Sequence, residues 1–517
     1  MIAASNPILP GCHPDPSICR VGDEFFLVTS TFEYLPGLPI HRSTDLVNWE
    51  LIGHAIDRPG MIDMTGLASS SGLYAPTLRH HDGRFWLVCT LVDQTDPARG
   101  GNFVISAADA AGPWSDPVWL DADGIDPSLF FDDDGTAWAQ GTRPARDPQW
   151  HDQTEIWLRE FDRGTMTLVG PEHVVWSGAV IGAVWAEGPH IYKVDGRYLL
   201  VAAEGGTEMN HAVAVARADA VTGPYVGAPT NPVLSHRQQG RTADVVAVGH
   251  ADLVQAVDGS WWAVVLGMRP YGGLHANLGR ETFLVPVVWE DGWPVFAPGE
   301  GRIPEAVGVP FAGSGAVAAS PERILPGDLR WTSVRALPEE VADAEGERWL
   351  LPVRPEGPVD RRPFAFLGVR QQHVDVDVRL MLSGRLLGDE EGGLLIRQSE
   401  RDQLRLAVHG GAEEGAVRIT AALLRAGVVV EQRSMNLPAS LHDGVELILR
   451  ARGQDYELLA GAAGSRPAAI ITADGRSLDP FSAGGFLGLW IGVYATSRGA
   501  DTDSILRVES FEYRPRQ

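Results

Sequence analysis

Five segments of this chain share one pattern: 15-DPSICRVGDEFFLVTS-30, 75-APTLRHHDGRFWLVCT-90, 126-DPSLFFDDDGTAWAQG-141, 187-EGPHIYKVDGRYLLVA-202 and 250-HADLVQAVDGSWWAVV-265. Each has an entry residue, a short apolar run, a Gly/Asp turn and an aromatic-rich run. A Gly/Asp turn between two apolar runs is the strongest short-range sign of a β-hairpin. The units start at 15, 75, 126, 187 and 250, so they recur every 51 to 63 residues. That spacing suits a four-stranded sheet with its connections. The repeat predicts a five-bladed β-propeller over residues 1–305. Chance hairpins in a sandwich account for it less well, because five hits stand in register.

In a propeller the innermost strands line a central channel, and their first residues ring one mouth. Those residues are Asp15, Ala75, Asp126, Glu187 and His250. Asp15 stands between two prolines, a context that read alone marks a turn. Repetition changes that reading. Acids at a crowded axis are costly to bury unpaired, so three of them converging on one cleft point to chemistry.

Beyond the fifth unit the aromatic pattern stops, and Gly, Pro, Ala and Ser dominate 296-FAPGEGRIPEAVGVPFAGSGAVAAS-320. This reads as a linker over 306–324. Strand-like runs resume at 374–380, 393–399, 417–424, 445–452 and 505–513, separated by Gly, Asp and Ser turns. They predict an antiparallel β-sandwich over 325–517, making the whole chain all-β.

Composition excludes several classes. The formal net charge is −25 and Lys193 is the one lysine, which disfavours nucleic acid and anionic membranes and rules out a Walker A loop. No apolar run reaches membrane-spanning length. Cys12, Cys19 and Cys89 form neither a Cys-x-x-Cys pair nor an even set, which argues against a disulfide framework or structural zinc. The N-terminal MIAASNPILPG lacks the marks of a secretory signal, so a cytoplasmic location is expected.

Two carboxyls flanking a glycosidic bond suffice for hydrolysis, one protonated and one ionised. A third can raise the pKa of the acid by like-charge repulsion. Glu187 has the longest reach of the three and is the better proton donor, with Trp185 as an apolar neighbour. From the residues alone the competing reading is a calcium site, since oxygen ligands beside His250 could hold a hard cation.

Several motifs together resemble the family-43 glycoside hydrolases, most closely their two-domain β-xylosidases: HPDPSI at 13–18, YAPTLRHHDG at 74–83, IDPSLFFDDDG at 125–135, AEGPHIYK at 186–193, GHADLV at 249–254 and LGRETFLVPV at 278–287. The resemblance is dense in the first domain and looser in the second, where 484-GGFLGLWIGVYATS-497 carries it. It implies Asp15 as general base, Asp126 as the residue that tunes and orients the acid, Glu187 as general acid, and inversion at the anomeric carbon. It implies Phe32, Tyr74, Arg280 and Phe486 as substrate-binding residues. Tyr74 departs from the tryptophan often found there, and Phe486 would lie on a loop reaching from the second domain into the cleft. For His250 the resemblance leaves a structural role and calcium ligation both open; otherwise no cofactor is required. The implied substrate is a xylo-oligosaccharide cut from its non-reducing end. An α-L-arabinofuranosidase is the alternative within hydrolases, and a non-catalytic carbohydrate-binding propeller the alternative outside them. A homo-oligomer is compatible with this reading.

Overall fold

The computed structural model describes residues 2–240, 242–310, 322–410 and 416–516. The repeated hairpins become the first two strands of five consecutive antiparallel sheets. The first strands are Ser17–Val21, Thr77–His81, Ile125–Phe131, Glu187–Val194 and Val246–Gln255. Their turns follow from local chemistry. Val21 pairs with Glu24, His81 with Arg84 and Val194 with Arg197, each closing a two-residue loop. In the second and fourth sheets both loop residues have positive φ: Asp82 and Gly83 at 50° and 72°, Asp195 and Gly196 at 49° and 78°. A type I′ turn requires this geometry, and Asp-Gly supplies it cheaply.

A buried polar network touches the first strand of every sheet. Asp252, in the fifth, accepts from Ser17 Oγ at 2.7 Å and from Arg79 Nη1 and Nη2, at 2.8 and 3.1 Å. The Tyr192 hydroxyl also donates to it. Arg79 Nη2 lies 3.0 Å from His190 Nδ1, which lies 3.0 Å from Ser128 Oγ. The first strands of the five sheets therefore meet at one buried polar network. Burial would raise the Asp252 carboxyl, but the Arg79 guanidinium, the His190 ring and the hydrogen bonds from Arg79 and Tyr192 together outweigh that and hold it far below the usual range.

The chain ends of this domain meet. Ile2–Ser5 pairs with Ala306–Val309, and the Asn6 amide donates to the carbonyls of Leu284 and Pro304, both at 2.9 Å. The sequence assigns 306–309 to the linker. The backbone there instead completes a two-stranded ribbon, because the N-terminal segment offers an unpaired edge. Residues 311–321 of the expected linker lie outside the described residues.

The second domain has a seven-stranded and a six-stranded antiparallel sheet packed face to face. Val376–Gly384 and Val445–Arg452 belong to the first, Glu391–Arg397 and Trp490–Thr496 to the second. Inward residues such as Val378, Leu380, Leu394, Ile396, Leu447 and Val493 are almost fully buried between them. Period-two alternation dictates this, since one face of each strand must leave water.

The two domains share a core. Tyr34 stacks on Trp490 with ring centroids 3.9 Å apart and planes 7° from parallel. Ser333–Val334 pairs with Tyr34–Leu35. Glu33 and Arg397, both fully buried, form an ion pair at 3.1 Å across the boundary. Among the described residues no helix is long and apolar enough to cross a membrane.

Candidate active site

Strand pairing slips near the start of the first strand in three sheets: between Ile125 and Ser128, between Glu187 and His190, and between Gly249 and Asp252. Such bulges bend a strand and re-aim a side chain. Asp126 and His250 lie within these slips, and Glu187 borders the second. Asp15, Asp126 and His250 carry φ of 54°, 54° and 47°, a left-handed conformation that costs an ordinary residue about 1–2 kcal/mol. Beside Glu187 it is Gly188 that takes the positive φ, 57°, and a Cβ there would lie 2.9 Å from the His250 ring. Left-handed backbone thus displays Asp15, Asp126 and His250.

These residues line a cavity of about 640 Å³. Asp15, Asp126, Glu187, His250, Phe32, Tyr74, Arg280 and Phe486 all contribute to its wall. Every residue singled out from the sequence is therefore brought to one place. Arg280 ties the wall together. Its Nη1 donates to Asp15 Oδ1 at 3.0 Å and to Thr207 Oγ1 at 3.1 Å, and its Nε donates to the Phe486 carbonyl at 3.4 Å. Its guanidinium carbon sits 5.3 Å from the Phe32 ring centroid and 5.2 Å from that of Phe486. Phe32 and Phe486 stack at 5.8 Å, and Tyr74 meets Phe32 edge-on at 5.3 Å. Phe486 arrives from the second domain, after the short helix Pro480–Ala483, capped by Asp479, and the pair Gly484–Gly485 at φ 85° and 87°.

The three carboxyls differ sharply in environment. Burial alone would raise Asp15, but Arg280, the His250 ring and the Ser30 hydroxyl, 2.6 Å from its Oδ2, together outweigh burial and hold it below the usual carboxylate value. Asp126 is pushed up to about 6, chiefly by burial and further by Asp15, while the Gly188 amide donates to its Oδ2 at 3.0 Å. Glu187 is pushed well above the ordinary glutamate value, first by burial and then by the charges of Asp126 and Asp15. One cavity thus holds a carboxyl held below its ordinary value and another pushed above it, the opposed tuning that acid–base cleavage of an acetal needs.

A family model described as glycosyl hydrolases family 43 matches residues 4–294. The chain belongs to glycosyl hydrolase family 43. A second model, the beta xylosidase C-terminal concanavalin A-like domain, matches residues 327–514 of this family-43 chain. The xylosidase/arabinosidase of Butyrivibrio fibrisolvens is 38% identical over 98% of both chains. The non-reducing end alpha-L-arabinofuranosidase of Bacteroides ovatus is 36% identical over 98% of this chain and 94% of its own. The crystal structure of a xylan beta-1,4-xylosidase from Bacillus halodurans superposes with a TM-score of 0.93 at 31% identity, over 99% of this chain and 100% of that one.

Sequence reasoning missed part of the site of this family-43 chain. Thr207, Glu208, Met209 and Asn210 line the cavity beside Trp185. They follow Gly205 and Gly206 at φ 92° and 73°, so the signal was the double glycine ending the second strand of the fourth unit. Gln94 and His211 were also missed, since neither stands in the repeat. His250 stands beside the Asp15 carboxylate. Its Nδ1 lies 3.9 Å from Asp15 Oδ1, but that carboxylate is engaged by Arg280 and Ser30. Among the described residues no group of three or more His, Cys, Asp or Glu side chains is arranged to hold a metal ion.

Proposed function

We propose that this family-43 chain is an exo-acting, inverting β-1,4-xylosidase that releases xylose from the non-reducing end of short xylo-oligosaccharides. The observation that carries the reading is that Asp15 and Glu187 line one cavity in environments that tune their carboxyls in opposite directions. Glu187 donates its proton to the departing glycosidic oxygen. Asp15, kept anionic, removes a proton from the water that attacks the anomeric carbon from the opposite face. Asp126 repels negative charge on Glu187, so the donor stays protonated until the bond breaks. Inversion follows if that water attacks directly, with no glycosyl-enzyme intermediate.

The aromatic wall of Phe32, Tyr74 and Phe486 supports exo action, because it would stop the chain of sugars after one residue. The five sheets are read as blades of a five-bladed propeller, supported by first strands that share one buried polar network. On this reading residues 1–305 form the catalytic domain and the sandwich contributes a wall of the cleft. The step uses only carboxyl groups and water.

Arabinofuranosidase activity is the second reading, favoured by the Bacteroides ovatus relative, whose similarity spans both domains. Hydrolysis rates of matched aryl β-xyloside and aryl α-arabinofuranoside test the choice. A higher kcat/KM on the xyloside is expected. Preference for the arabinofuranoside would move the assignment to the second reading, and no hydrolysis of either would reject both.

A further inference from the structure

Ser70 stands where the domain boundary meets the aromatic wall. It is buried, 4% exposed, and holds a φ of 65°. All of its polar groups are engaged. Its amide donates to Glu33 Oε2 at 3.0 Å, and its hydroxyl accepts from the Phe486 amide at 3.0 Å. Its carbonyl accepts from the Tyr74 hydroxyl at 2.9 Å and from Gln94 Nε2 at 3.0 Å. Gln94 Nε2 also donates to the Tyr74 hydroxyl at 2.8 Å, closing a small ring of bonds.

Behind Ser70 the contacts continue into the second domain. Glu33 is paired with Arg397, whose Nη1 also donates to the Tyr34 hydroxyl at 2.8 Å and whose Nη2 donates to Ser69 Oγ at 2.9 Å. Removing either partner of this buried pair would leave the other charge uncompensated. The loop from the sandwich presses close as well. A Cβ on Gly485 would lie 2.4 Å from Ser70 Oγ, so only glycine lets the loop come down onto the hydroxyl.

We propose that Ser70 is a positioning residue for the glycosidase reaction: through its hydroxyl it sets the Phe486 loop, and through its carbonyl it sets Tyr74, so that the two domains jointly fix the wall against the terminal sugar. This rests on the proposed function. Ser70 itself does not line the cavity; it acts through two rings that do. Small displacements of a wall matter because catalysis depends on how well the sugar is held for attack.

The test uses the full chain with Ser70→Gly and Ser70→Ala. Glycine accepts a φ of 65° without strain, so Ser70→Gly deletes the hydroxyl and leaves the backbone preference intact; Ser70→Ala retains the Cβ. The kcat/KM on xylobiose should fall about five-fold, the loss of one modest hydrogen bond. The pH profile should keep its shape, since no acid is touched. In a Phe486→Ala background Ser70→Gly should cost less than about two-fold, because residues acting through one another are not additive. Hydrogen exchange at the Phe486 amide, which needs no catalysis, should speed up by about ten-fold or more in Ser70→Gly. Unchanged amide exchange, or full additivity with Phe486→Ala, overturns the proposal. If the wild type does not hydrolyse xylobiose, the function reading fails, and the exchange measurement still decides whether Ser70 places the loop.

Discussion

Arg280 Nη1 lies 3.0 Å from Asp15 Oδ1, and the same side chain donates to the backbone carbonyl of Phe486. One guanidinium therefore both keeps the candidate base ionised and clasps the loop from the other domain. Arg280→Met would leave Asp15 buried without its strongest opposing charge, and its pKa would rise. The acidic limb of kcat/KM should move to higher pH, and the value at neutral pH should fall by about ten-fold or more. An acidic limb that stays in place would show that Asp15 is held down by something else.

The pH profile of the wild type follows from the two directions. Activity requires Asp15 unprotonated and Glu187 protonated. Asp15 is lowered and Glu187 raised, so the active window opens below the ordinary carboxylate range and closes above it. Rate should rise through the low limb, hold across the intervening region, and fall as Glu187 loses its proton. Asp126, at about 6, titrates inside the window and should shape the upper limb. A profile with a single limb would contradict the pairing.

Leaving-group dependence separates the acid from the base. Glu187→Gln should cost roughly a hundred-fold or more on xylobiose and far less on an activated aryl xyloside, whose leaving group needs little protonation. Asp15→Asn should depress both alike, since the water is left without its base. Equal leaving-group dependence in the two variants would mean the roles are wrongly assigned.

Much of this was legible in the chain. The Gly/Asp turns repeat because a two-residue hairpin needs positive φ, and that need is written in 82-DG-83 and 195-DG-196. Asp15, Asp126 and Glu187 were found because repeat register carries one position from sheet to sheet. Phe486 was found only by resemblance, since nothing in a Gly-Gly-Phe run says which cleft it reaches. The role of Ser70 was not legible at all. It depends on a contact with Phe486 made 416 residues away, and no local pattern encodes that. The strand at Ala306–Val309 was hidden for the same reason, because its partner is the opposite end of the domain.

The Phe486 ring gives a test of the domain boundary. Phe486→Ala removes apolar contact against Phe32 and Tyr74 without touching an acid. The kcat/KM on xylobiose should drop by about ten-fold, equivalent to about 1.4 kcal/mol. Wild-type kinetics in the soluble variant would remove this loop from the active site.

Stability should depend on the buried polar network around Asp252 more than on any surface pair. Asp252 is completely buried and bonded to Arg79, Ser17 and Tyr192. Asp252→Ala leaves the Arg79 charge buried without its partner, which costs about 3–5 kcal/mol. Because the folded pKa of Asp252 is depressed, this stability is present above the unfolded-state value and is lost as pH falls toward the folded one. Calorimetry at neutral pH should show a Tm lower by several degrees; an unchanged Tm would remove the network from the stability argument.

The central claim is direct displacement by water across Asp15 and Glu187, and the anomer released first reports on it. Proton NMR of aryl β-xyloside hydrolysis by the wild-type chain, recorded before mutarotation, should show α-xylose appearing first. Initial release of β-xylose would mean retention through a covalent intermediate, and the assignment of Asp15 as a base acting on water would be wrong.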